Sequence, residues 1–134
     1  AFLRRRELVL ETELLEKPRE LARILVHELF HFVWLRLGVE VRRSWEAVLE
    51  AELRARARGE LGWSAEWRKR KLAPADRARR SRRWRDYVAE SFCDPAAWPQ
   101  AGGRRHEEYT LAVGWRRARR RWFGHLLARG GLSI

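Results

Sequence analysis

Apolar and polar positions alternate over residues 6–14, with Leu8, Leu10, Thr12 and Leu14 on one side and Glu7, Val9, Glu11 and Glu13 on the other. That period of two predicts a strand. Pro18 then suits the first turn of a helix, with Glu20 near its positive end, and Gly38 is a natural stop. The helix expected over 18–37 is apolar nearly all round, so it should be the buried centre of the domain. Ser44 can cap a second helix over 45–58, where Trp45, Val48, Leu49 and Leu53 follow helical spacing before Gly59 and Gly62 break it. Ser64 can cap a short turn carrying Trp67. Pro74 and Asp76 open a third long helix through Trp84, Tyr87, Val88 and Phe92, ended by Pro95, Pro99, Gly102 and Gly103. A last helix over 111–128 sets Trp115, Trp122 and Phe123 against a strongly basic face.

Composition narrows the class. With 134 residues, the chain is one domain (1–134) with a single core, and 46% hydrophobic content with eight Trp argues for a packed globule. The one cysteine, Cys93, excludes an internal disulfide and fits a reducing, cytoplasmic setting. The chain opens on Ala and contains no Met, which reads as a trimmed or processed product, so a removed signal sequence is compatible with it. The best candidate for a membrane span is interrupted by Glu28, His31 and Arg36, so no membrane segment is expected.

Charge adds a partner class. The net charge is +12 with pI near 11.4, and of 30 basic residues 27 are Arg. Clusters over 77–85 and 116–121 fit weak, non-specific binding to nucleic acid, since phosphate contacts need only charge within reach. The plainer reading is a solvated Arg-rich surface, and no nucleic-acid-binding motif accompanies it.

The most specific signal lies inside the apolar run. Between Ile24 and Leu35 the polar residues are His27, Glu28 and His31, which spell H-E-x-x-H. Residues four apart on a helix stand about 40° apart around its axis, so both imidazoles can grip one metal ion. Glu28 is placed to act on water rather than to ligate. A chain with 4 His and 15 Glu would show the pattern by chance about once in a hundred cases, and the apolar setting sharpens it. A catalytic zinc site needs a third protein ligand. Trp34 and Leu37 stand where the metzincin pattern needs Gly and His, which rules that class out. Glu90 and Asp94 offer E-x-x-x-D on the third helix instead: Glu90 as zinc ligand, and Asp94 as acceptor from the outer nitrogen of His27.

These residues resemble the gluzincin metallopeptidases, whose signature is H-E-x-x-H followed downstream by E-x-x-x-D. The resemblance covers two segments, 19–37 and 83–94, and is strongest to very small "minimal" zincins of bacterial type. It implies zinc held by His27, His31 and Glu90, Glu28 as general base, Asp94 behind His27, and a peptide or protein substrate. The fold expected is α+β, mainly α and zincin-like: a short N-terminal strand, a buried active-site helix and three or four further helices. Two departures stand out. Only about fifteen residues precede the active-site helix, too few for the family's sheet, and Pro95 directly after Asp94 disfavours continued helix there. For oxyanion stabilisation the resemblance implies a His or Tyr beyond the Glu ligand, giving His106 first and Tyr109 second, with Tyr87, one turn before Glu90, third. Cys93 reads as a small core residue, His125 as a packing or capping residue, and Trp34, Trp84 and Trp98 as core. The alternative function is a basic nucleic-acid-associated domain whose metal site is structural or vestigial. A single Cys makes a four-ligand structural zinc site hard to build.

Overall fold

The computed structural model describes residue 2, residues 5–98 and residues 109–130. Among them the chain is mainly α-helical. A 3₁₀ turn, Thr12–Glu16, precedes α1 (Pro18–Arg36), α2 (Val39–Arg54), α3 (Trp63–Arg70), α4 (Pro74–Ala78), α5 (Arg82–Ala97) and α6 (Val113–Ala128).

The strand expected over 6–14 is not formed among the described residues. The only β pairing there is an isolated antiparallel bridge between Phe2 and Glu7, and the alternating run ends in the 3₁₀ turn. Alternation licenses a strand only where a neighbouring strand takes up its backbone groups, and none lies among the described residues.

Two helix boundaries also moved. Gly38 does stop α1, but it serves at once as the N-cap of α2, which starts at Val39 instead of Trp45. Ser44 lies inside α2 and donates back to the Val41 carbonyl at 2.8 Å. The long third helix is two. Ser81 caps α5, its Oγ accepting from the Trp84 amide at 3.3 Å and donating to Asp76 at 2.6 Å. Asp76 also accepts from the Ala73 amide at 2.8 Å, so one carboxylate closes α4 and fixes the corner before α5. Past Asp94 the helix continues through Pro95 to Ala97. A proline in the last turn forfeits a single bond, to the Ser91 carbonyl, and the turn survives.

The buried centre is α5, not α1. Trp84, Tyr87, Val88, Ser91, Phe92, Cys93, Asp94 and Ala97 of α5 are all buried. In α1 only Arg23 and Val33 are, while Leu25 and Leu35 are 37% and 51% exposed. Trp45 ties α2 to α5 by donating to Val88 O and Ser91 Oγ, both at 3.3 Å. Phe30 of α1 and Phe123 of α6 close on Phe92 with ring centroids 5.8 and 5.1 Å away.

A second structural centre is ionic. Arg119 of α6, counted in sequence with the solvated basic face, is fully buried. It donates two bonds to Glu52, at 2.8 and 2.6 Å, and two to Glu60, at 2.6 and 2.9 Å. Tyr87 adds its hydroxyl to Glu60 at 2.6 Å, and Lys69 approaches the same carboxylate at 3.2 Å. Five segments thus meet on one guanidinium and two carboxylates. The backbone of Glu60 pairs with the strip before α6, its carbonyl accepting from the amides of Thr110 and Leu111 at 2.9 and 3.0 Å. Gly59 permits this approach: its φ is +80°, and a Cβ there would fall 2.3 Å from the Thr110 carbonyl oxygen.

Candidate metal centre

The seam between α1 and α5 brings the sequence motif together. His27 and His31 stand one turn apart with ring centroids 5.1 Å apart and planes at 78°. Opposite them on α5 lie Glu90 and, one turn on, Asp94. His27 Nδ1 donates to Asp94 Oδ1 at 2.9 Å. That bond fixes the ring and turns Nε2 toward Glu90, whose Oε2 lies 3.6 Å away. The other oxygen, Oε1, lies 3.9 Å from His31 Nε2. Both gaps are too long for hydrogen bonds. They are close to the roughly 3.4 Å that separates N and O donors around a tetrahedral ion with bonds of about 2.0–2.2 Å. By donor type two imidazoles and a carboxylate suit zinc, while each histidine faces a different oxygen of Glu90. The side chains of His27, His31 and Glu90 are each 14% exposed, so the cluster reaches the surface at one edge.

Two further residues complete the constellation: Gly62, read in the sequence only as a helix breaker, and Arg68, not singled out there. Gly62, the N-cap of α3, backs Asp94: a Cβ there would lie 2.5 Å from Oδ1 and 2.7 Å from Oδ2. Its φ of −167° is extended backbone, so the requirement for glycine is purely steric. Arg68, two turns along α3, reaches Glu90 Oε1 at 3.1 Å and is braced by hydrogen bonds to the carbonyl and hydroxyl of Ser64. Arg68 therefore holds Glu90 as Asp94 holds His27. Only the packing of α3 on α5 reveals either residue; in the sequence they are a loop glycine and one Arg among 27.

Gly62→Ala is expected to keep the helices but weaken metal binding by about 10–100-fold, the usual cost of disturbing a group behind a ligand. Chelator competition measures it. Unchanged affinity would mean that Asp94 shifts without consequence.

The charges are strongly coupled. Burial by itself disfavours a charged His27, but Asp94 and Glu90 outweigh it and raise its pKa from 6.5 to about 10. Burial would raise Glu90, yet His27, His31 and Arg68 hold it down at about 2. Burial lowers His31, and it raises Asp94 against the opposing pull of His27. Without an ion, Asp94 and Glu90 thus favour the charged form of His27. A raised pKa gives stability that is complete below 6.5 and lost as pH climbs to about 10. The chelator-treated chain should lose about 1.4 kcal/mol of unfolding free energy per pH unit across that window. Urea titrations at several pH values check this, and a flat profile would show that His27 is neutral without metal.

Of the other sequence candidates, Glu28 lies half-buried on α1 beside His27. Tyr109 is buried in a second apolar cluster with Leu61 and Leu111, its ring stacked on Trp98 at 4.9 Å. Tyr87 is corrected from oxyanion candidate to core residue: its hydroxyl is committed to Glu60. His106 lies outside the described residues. His125 is exposed on α6. Cys93 is buried, as expected, but with its sulfur facing the two imidazoles. No helix among the described residues is long and apolar enough to cross a membrane. No family model, curated protein or solved structure matches the chain.

Proposed function

We propose that the chain is a zinc-dependent peptidase of gluzincin type, with His27, His31 and Glu90 holding the ion. The single observation that supports this most is the convergence of H-E-x-x-H with Glu90 while Asp94 engages the outer nitrogen of His27. Zinc in such a site supplies a Lewis acid that polarises a peptide carbonyl and acidifies water. The chain's own residues do the rest. Asp94 fixes the His27 tautomer and Gly62 makes room for Asp94. Arg68 steadies Glu90 and, being 30% exposed, also presents a cation at the open edge where negative charge would develop. Glu28 takes a proton from the attacking water and passes it to the leaving amine. Phe30, within the motif, also lines an apolar groove of about 500 Å³ with Trp98, Arg120, Phe123 and Leu127, which suits an apolar side chain of a peptide.

The purified chain is expected to carry about one zinc, lost in His27→Ala, His31→Ala and Glu90→Ala, as a three-ligand site requires. Elemental analysis decides it, and zinc content indifferent to all three substitutions would overturn the assignment. On the nucleic-acid alternative, Arg119 is buried and lies outside any contact surface, while Arg117, Arg120 and Arg121 of the same cluster are exposed.

A further inference from the structure

Cys93 is the chain's one cysteine and is 0% exposed. The site described above gives it no task. Yet its Sγ and one ring nitrogen from each of His27 and His31 all lie within 4.8 Å of one another. A tetrahedral ion with bonds of about 2.3 Å to sulfur and 2.0–2.1 Å to nitrogen spaces those donors about 3.4–3.6 Å apart. The three atoms therefore need to close by no more than about 1.4 Å, the scale of small side-chain adjustments.

Glu90 and Cys93 stand three residues apart on α5, about 60° apart around its axis. Glu90, three residues earlier on α5, lies at the exposed edge, where Arg68 draws one of its oxygens at 3.1 Å. Cys93 lies on the core side, packed in the same apolar cluster as Phe92 and Phe123. A metal between the two His thus has a carboxylate toward solvent and a thiol toward the core.

We propose that Cys93 is a metal ligand of the resting site, so that His27, His31, Glu90 and Cys93 hold the ion together. The thiol binds as thiolate, its proton passing to solvent as the sulfur–metal bond forms. Thiolate is the softest donor of the four and a strong ligand for zinc. The proposal rests on the metal reading above and adds a regulation to it. Four protein donors leave no position for water, so the resting centre is closed, and hydrolysis requires the Cys93 sulfur to leave the ion and take a proton back as its bond to the metal breaks.

Cobalt(II) in place of zinc tests this, because a thiolate bound to cobalt gives an intense near-ultraviolet charge-transfer absorption that imidazole and carboxylate do not. The full chain loaded with cobalt alone is expected to show that band. Cys93→Ala and Cys93→Ser should abolish it while circular dichroism stays native. Zinc-loaded Cys93→Ala should hydrolyse peptides faster than the wild type. Stoichiometric cobalt without the band overturns the proposal and leaves the three-ligand site standing. No cobalt bound at all overturns both. Should both cysteine variants unfold, the wild-type spectrum decides by itself. A band with unaltered turnover in Cys93→Ala would keep the ligand but remove the closed resting state.

Discussion

Glu28→Gln is expected to retain zinc, retain the fold and lose hydrolysis by about a hundred- to ten-thousandfold. The substitution keeps size and hydrogen-bonding capacity but removes the group that accepts a proton. Glu28 is the one carboxylate of the motif on α1, about 100° around the helix from His27, so it flanks the donor cluster without joining it. The measurement is paired: zinc content by elemental analysis, and turnover on a peptide library under metal saturation. Loss of zinc together with activity would make Glu28 a ligand and require a different base. Loss of neither would remove Glu28 as the base and assign the proton transfer to another group.

The second large effect concerns stability. Arg119→Met should destabilise the fold by about 3–5 kcal/mol, because it strands two buried carboxylates without their partner. Glu52 and Glu60 are both 0% exposed, so neither can turn to water. Glu60 is held below its usual range, against the opposing effect of burial, by Arg119 and Lys69. For a domain of this size the loss corresponds to a fall in Tm of about 10–20 °C. A control separates loss of charge balance from loss of packing. Adding Glu52→Gln and Glu60→Gln to Arg119→Met removes the stranded charges and should recover much of the stability. A triple variant as unstable as the single one would mean that the guanidinium acts through shape rather than charge.

The motif residues were legible because their information is local. Two His four apart on an apolar helix, and Glu and Asp four apart on another, declare a shared face by spacing alone, and α1 and α5 bring those faces together. Hydrophobic spacing with its capping and breaking residues likewise pointed to a mainly helical domain. What the sequence concealed depends on neighbours. Alternation over 6–14 carried no sign that a pairing strand was lacking. Arg119 is indistinguishable in sequence from Arg117 or Arg120, yet it is fully buried while they are exposed, because Glu52 and Glu60 arrive from other segments. The apolar density of α1 suggested the centre, but α5, with more charge in its sequence, is enclosed by α1, α2, α3 and α6 and takes that place. Gly62, Arg68 and the reach of Cys93 to the imidazoles are properties of packing, with no signature along the chain.

The enclosure of α5 also sets how this protein can drift. From Tyr87 to Trp98 every residue is buried or half-buried, and core members alternate with the groups that face the imidazoles. A mutation there meets two demands at once, and few side chains satisfy both. Only Arg82, Arg83, Arg85 and Asp86, at its start, are exposed. Descendants of this sequence should therefore diverge first along the outer faces of α1 and α6, and last along one helix. A lineage that abandoned the chemistry would still be compelled to keep most of the residues around it.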